Sequence, residues 1–311
     1  GFDLSWAALR GVYDFRPGHQ RIPQRRELRS RLSLIDYRRI EINEEARSIF
    51  LGRRNMEIGT GGIGKGYALD RAGAILREAG IENYMLFAGG QVQVNGQRQD
   101  RAWRVGIMHP RANETYFGFL EAESGSISTS GDYENVHFDA DGRRWHHILD
   151  PRTGEPVERT MSVTLVAPSG LYADALSTAA FVLGPERATR MIEELPFEVK
   201  AVIVGSDCVL HRINTGDGLI MRTELDEQGR LPAPALASLE ALEERVRAWS
   251  PSPQRALPEA TGGGVIVEQP AWEVHMIARF LGPQGADWRR PLMSRSTRGL
   301  PPSKDIYGVS D

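Results

Sequence analysis

The stretch Gly59-Thr60-Gly61-Gly62-Ile63-Gly64-Lys65-Gly66-Tyr67-Ala68-Leu69-Asp70 constrains this chain more than any other. Glycines crowd around one lysine, and a helical pattern starts at once. Leu69, Ala72, Ile75 and Leu76 recur on one face, and Gly80 stands as a C-terminal cap. Glycine lets the backbone approach a ligand closely, and free amides at a helix N-terminus favour negative charge. With the Lys65 ammonium added, the loop suits a phosphate or pyrophosphate. A plain structural turn explains the glycines equally well. The loop is not a P-loop, because Gly66 stands where Ser or Thr must follow the lysine. Nor is it a dinucleotide fingerprint opening a βαβ unit.

The 311 residues allow one large or two medium domains, and 41% hydrophobic content supports a sizeable core. A net charge of -3 gives no electrostatic reason to expect nucleic acid. No apolar run reaches the roughly 18 residues that a membrane span requires. The one cysteine, Cys208, excludes an internal disulfide framework and a multi-cysteine metal site. The chain opens on Gly1 rather than Met, as though cut into a longer protein, so any targeting signal is expected upstream.

Taken in order, Phe2, Trp6, Leu9, Val12 and Phe15 recur every three or four residues, as on a buried helical or turn-like face. The basic, polar stretch from Arg16 to Arg39 reads as a surface loop leading into a short helix. Short strands are expected at Arg39–Ile42, Ser48–Leu51, Asn83–Phe87, Val92–Val94, Trp103–Ile107, Phe117–Leu120, Ser126–Ser130 and Met161–Val166. Val136–Ile148 reads as a hairpin turning at Asp141-Gly142, and Val199–Val204 with Val209–Ile213 as another. Helices are expected over Ala173–Leu183 and Arg187–Glu194. From about Glu224 the texture changes. An amphipathic helix carries Leu236, Leu239, Leu242, Val246 and Trp249, a Pro/Gly linker covers Ser250 to Gly264, a strand runs from Trp272 to Phe280, and a polar arm closes the chain.

Several stretches carry polar chemistry. Ala88-Gly89-Gly90 after a strand suggests close backbone approach to a neighbour or ligand. Ser126-Ile127-Ser128-Thr129-Ser130-Gly131-Asp132-Tyr133 packs hydroxyls beside a glycine, suited to a phosphate or a flexible ligand, or to a Ser/Thr-rich turn. His146 and His147 are adjacent on a strand, so they face opposite sides and cannot share one metal; one faces solvent, and the other is open to general-base work. Asp174 and Thr178 lie four apart on a helix face. That spacing suits a hard cation shared between them, or a capping Asp beside a Thr bonded to the helix backbone.

Together these stretches resemble the ApbE-like FAD:protein FMN transferases. The resemblance is carried by Gly1-Phe2-Asp3; Gly61-Gly62-Ile63-Gly64-Lys65-Gly66-Tyr67-Ala68 with Asp70; Ala88-Gly89-Gly90; Trp103 to Ile107; Ser128 to Tyr133; His147-Ile148-Leu149-Asp150-Pro151-Arg152-Thr153-Gly154; and Ala173 to Ala179. It covers residues 1–222 as an N-terminally incomplete transferase domain, leaving 223–311 as a C-terminal extension. It implies an α+β fold of mixed sheets with flanking helices, FAD as ligand and Mg2+ as cofactor. It further implies transfer of FMN from FAD to a Thr or Ser of an acceptor protein, with AMP leaving.

By the same resemblance, Asp174, Thr178 and the carbonyl of Gly64 hold the metal, and His147 is the catalytic base. Gly61, Gly62, Lys65, Gly89, Gly90, Thr129, Ser130, Gly131 and Asp150 bind the cofactor. The setting implied is periplasmic, or membrane-associated on the outer side of the cytoplasmic membrane. Gly59 stands where the family usually has Asp, Phe87 where Asn is frequent, and Gln91 where Asp or Asn is frequent. A second reading is therefore a catalytically retired paralogue, a structural subunit of a larger assembly contacted by the C-terminal tail.

Overall fold

The computed structural model describes residues 1–15, 19–112, 115–139 and 141–233. The amphipathic helix, linker, strand and polar arm expected beyond Pro234 lie outside the described residues. None of the described helices is long and apolar enough to cross a membrane.

Fifteen helical residues follow the glycine loop. Helix α2 spans Gly64–Glu78, after the short α1 over Arg25–Leu32. Gly80 has φ 77°, and the amide of Ile81 returns to the carbonyl of Leu76 at 2.9 Å, the expected C-terminal cap. The buried face differs from the expected one. Ile63, Gly66, Tyr67, Leu69 and Gly73 are buried, while Ile75 faces solvent. Gly66 and Gly73 lie on the buried side of α2 beside the large Tyr67 and Leu69.

Six strands build the main sheet: β3 (Tyr84–Ala88), β4 (Gln91–Asn95), β7 (Ser124–Gly131), β10 (Thr160–Ala167), β11 (Lys200–Gly205) and β12 (Leu210–Ile213). Their order is β12-β11-β10-β7-β4-β3, and all neighbours are antiparallel. The apolar runs of β10 and β11 are buried on both faces. On one face, Val163, Leu165, Ala201 and Ile203 meet α3 (Gly170–Leu183) and α4 (Pro185–Glu193). On the other, Val166, Val202 and Val204 meet Phe117, Leu120 and Ile107 of a second sheet. That sheet has the order β13-β6-β5, from β5 (Trp103–Met108), β6 (Tyr116–Ala122) and β13 (Leu219–Met221). One sheet thus separates two cores, because successive strand residues point to opposite sides. The three-residue β13 was not expected. It follows Gly216-Asp217-Gly218, is too short to show a period, and is held by pairing with Gly118–Leu120.

Helix α3 is Ala-rich, apolar around most of its circumference and mostly buried, as a core helix should be. Ser169 caps its N-terminus. The N-terminal stretch forms a 3-10 helix over Leu4–Leu9, but of the expected buried face only Leu9 and Val12 are buried; Phe2, Trp6 and Phe15 are half-buried, and Leu4, Ala7 and Ala8 are buried instead. Strands β8 (Val136–Phe138) and β9 (Arg144–His146) form the expected hairpin, with Gly142 at φ 77° in its turn. A separate hairpin unit contains β1 (Ile40–Asn43) and β2 (Ser48–Leu51).

Candidate functional site

Helices α2 and α3 meet backbone to backbone. A Cβ built on Gly66 would fall onto the carbonyl of Gly170, and one built on Gly170 onto the carbonyl of Gly66. No other residue fits either position. Asp70, one turn along α2, fixes this contact. Its Oδ1 accepts from the Gly170 amide at 2.7 Å and from Gln93 Nε2 at 3.1 Å. Its Oδ2 accepts from Ser169 Oγ at 2.9 Å and the Leu171 amide at 3.0 Å. Burial pushes the Asp70 carboxyl up, and the Leu171 and Gly170 amides, the Ser169 hydroxyl and the Arg77 charge act against that rise. Asp70 therefore caps the helix that faces its own.

The close crossing sets Asp174 of α3 against the first turn of α2. Asp174 Oδ1 lies 3.2 Å from Lys65 Nζ, and Oδ2 accepts from the Gly66 amide at 3.2 Å. The Asp174 side chain is 4% exposed and that of Lys65 is 42% exposed, so the pair has one buried and one open partner. Burial raises the pKa of Asp174, opposed first by the Lys65 charge and then by the Gly66 amide. The Gly66 amide at the α2 N-terminus is thus taken by the protein's own carboxylate, where the sequence suggested a phosphate or a plain turn. The amides of Gly64 and Tyr67 are bonded to the carbonyls of Thr60 and Ile63. Lys65 remains the solvent-reachable cation. Gly89, at φ 49°, brings its backbone against the Lys65 side chain; a Cβ there would stand 3.2 Å from Lys65 Cδ.

A row of hydroxyls lies beside Asp174. Ser177 donates to the Asp174 carbonyl at 2.9 Å, and Ser128 and Ser130 approach Ser177 at 3.2 and 2.9 Å. Thr178 Oγ1 is 3.3 Å from both Ser130 Oγ and the Asp174 carbonyl. Ser128 and Ser177 were missed as site residues. The signal was present, since Ser128 shares a strand face with Ser130 and Ser177 lies three residues after Asp174. Thr129 faces the other side of β7, is exposed, and bonds Thr164 Oγ1 at 2.8 Å. Its side chain does not join Ser130 at Asp174.

The two histidines divide their work. Buried His146 accepts from the Ile148 amide at Nδ1 and donates from Nε2 to the Val157 carbonyl at 2.9 Å, leaving neither nitrogen free. His147 is open to solvent. Its Nδ1 lies 3.0 Å from the Glu134 carbonyl, which can only accept, so the proton sits on Nδ1 and Nε2 keeps its lone pair. The protein around the ring lowers its pKa by desolvation. The Glu134 carbonyl and charge oppose this, while the Lys65 charge adds to it. His147 is therefore neutral near pH 7.

The remaining expected residues lie in close backbone packing or in turns. Gly61 lies against Trp6, and Gly62 against the Phe2 ring. Gly131 faces the Tyr133 ring, and Gly90 follows Gly89 with φ 85° in the turn between β3 and β4. Buried Asp150 takes two hydrogen bonds from the Arg152 guanidinium, at 2.9 and 2.6 Å. Burial pushes its carboxyl up, but the Arg152 bonds and charge outweigh that and hold it below the usual range. Asp150 is the anchor of its turn.

No cluster of three His, Cys, Asp or Glu exists among the described residues. The oxygens that the resemblance implies as metal ligands, those of Asp174, Thr178 and the Gly64 carbonyl, include one carboxylate, whose pKa burial raises and whose two oxygens meet Lys65 and the Gly66 amide. Such a set fits magnesium, which keeps waters and takes substrate phosphate oxygens, better than it fits zinc.

A glycine-based crossing of α2 and α3, with a Lys–Asp pair at the crossing, lies beside an antiparallel sheet in an α+β fold. The chain belongs to the ApbE family, whose model matches residues 1–203. An FAD:protein FMN transferase of Klebsiella pneumoniae (strain 342) is 35% identical over 179 residues, covering 57% of this chain and 54% of that protein. Another from Escherichia coli (strain K12) is 29% identical over 197 residues, covering 61% and 56%. The chain thus spans about half the length of these curated relatives. Among solved structures, the ApbE protein of Thermotoga maritima matches with TM-score 0.63 and 32% identity, over 69% of this chain and 70% of that one. The flavin transferase ApbE of Vibrio cholerae matches with TM-score 0.58 and 27% identity, over 68% and 69%.

Proposed function

We propose that this protein moves FMN from FAD to a Thr or Ser hydroxyl of an acceptor protein. The observation that carries the reading is the Asp174–Lys65 pair at 3.2 Å, one buried partner and one open, at the crossing of α2 and α3. Lys65 is placed to meet the pyrophosphate of FAD. Asp174, Thr178 and the Gly64 carbonyl would hold magnesium, which supplies charge neutralisation at the pyrophosphate. His147 is the base, with Nε2 as the accepting atom. The acceptor oxygen attacks the FMN-side phosphorus and its proton passes to Nε2. The bond from that phosphorus to the bridging oxygen breaks, and AMP leaves with that oxygen. Gly61, Gly62, Gly89, Gly90, Ser130 and Gly131 would offer backbone and hydroxyl contacts for the flavin nucleotide; Thr129, on the other face of β7, and Asp150, held by Arg152, are assigned to it by the family resemblance alone. On family resemblance, the protein works on the outer side of the cytoplasmic membrane.

Calorimetric titration of the purified chain with FAD, with and without magnesium, tests this reading. Binding that requires magnesium and is lost in Asp174→Ala supports it. Binding indifferent to both removes the metal assignment.

A further inference from the structure

The main sheet treats its two edges differently. The start of β12 is covered: the Leu210 amide bonds the Gly229 carbonyl at 3.0 Å, the Leu231 amide bonds Cys208 at 2.9 Å, and Val209 bridges Arg230. The opposite edge, β3, pairs only with β4 among the described residues. Its sequence is Tyr-Met-Leu-Phe-Ala, without charge, proline or bulge. Proteins blunt a free edge with those devices, and an edge without them is a template for another strand. Tyr84 and Leu86 turn inward, with the Tyr84 hydroxyl bonded to the Gly73 carbonyl. Met85 and Phe87 share the other face and are 39% and 71% exposed. They oppose Val94 and Val92 of the second core and extend that apolar face beyond its cover.

The direction of this edge selects its occupant. β3 runs into Gly89, whose backbone lies against Lys65, so a strand laid along β3 leads to the Lys65–Asp174 pair. Resting on the transfer reading above, we infer that β3 receives an extended segment of the acceptor protein. That segment pairs its backbone with the edge that β3 leaves unpaired among the described residues, and sets apolar side chains at alternate positions over Met85 and Phe87. Its Thr or Ser lies a few residues further on, at the site. Main-chain pairing supplies affinity, and contacts of alternate side chains with Met85 and Phe87 supply specificity.

The test uses the full chain with FAD and magnesium. The probe is a library of twelve-residue peptides with one fixed Thr and randomised flanks. Hydrogen exchange of the Tyr84–Ala88 amides and covalent FMN on peptide are read separately. Peptide should slow exchange at β3 roughly tenfold, as pairing of an open strand requires. FMN-bearing peptides should show apolar residues at alternate positions. Phe87→Lys and Met85→Lys, both at exposed positions, should abolish the protection while leaving FAD affinity within about twofold. FMN transfer without β3 protection overturns the inference, as does the absence of both. Protection without FMN transfer upholds the docking edge and instead removes the transfer reading. Two further results also overturn it. One is protection that grows with protein concentration in the absence of peptide, which assigns the edge to a second copy. The other is protection already present and lost on removal of residues 234–311, which assigns it to this chain.

Discussion

His147 keeps its proton on Nδ1 against the Glu134 carbonyl, so protonation of Nε2 is the event that removes its basicity. Its pKa lies below the ordinary 6.5, so the neutral base is complete above that value and is lost as pH falls through the lowered one. The rate of FMN transfer should therefore show an acid limb below pH 6.5, and His147→Ala should remove that limb. Single-turnover rates across pH check this. Such a base contributes roughly a hundredfold or more, which sets the size of the loss. For Asp174 the sign reverses. Its raised pKa means that the folded, metal-free chain binds more protons than the unfolded chain between the ordinary and raised values. Stability therefore falls as pH rises through that window. Asp174→Asn should abolish that dependence and leave the thermal midpoint unchanged or higher in the absence of metal. Transfer should fall by roughly a hundredfold. The sequence made Asp174 and Thr178 visible because their four-residue spacing is local. It hid the partner of Asp174, the Gly66 amide 108 residues earlier, because only the folded helix crossing brings them together.

Helices α2 and α3 form one unit through Gly66, Gly170 and Asp70. A Gly→Ala change inside a helix ordinarily gains about 1 kcal/mol. At Gly66 the new methyl would overlap the Gly170 backbone, so Gly66→Ala should instead cost about 2–3 kcal/mol, as overpacking does. Urea unfolding measures the sign. Asp70→Ala removes the acceptor for two amides and a hydroxyl at the start of α3 and should cost about 2–3 kcal/mol. Raised FAD Kd should accompany the loss, because the first turn of α2 loses its fixed relation to Asp174. The helix itself was legible in the glycine loop and the Gly80 cap. Its buried face was not. A pattern search finds Leu69, which is buried, but also picks exposed Ile75 and passes over Gly66, which admits the backbone of α3.

At the scale of the whole described body, one sheet serves two cores. Phe117, fully buried on the second-sheet side, should cost about 3–5 kcal/mol as Phe117→Ala. Unfolding should remain one transition by far- and near-ultraviolet circular dichroism, because β10 and β11 contribute side chains to both layers. The strands themselves were legible at Met161–Val166 and Val199–Val204. The pairing order β12-β11-β10-β7-β4-β3 was not legible, since strand neighbours are chosen by contacts far apart in sequence. The two-sided strand also bears on how such a chain can diverge. Leu165 and Val166 are adjacent letters with separate obligations, one to the helices and one to the second sheet. A change at the first is compensated among α3 and α4, and a change at the second among β5 and β6. Neighbours along the backbone should therefore carry unlinked mutational histories, while positions distant in sequence but sharing a layer vary together.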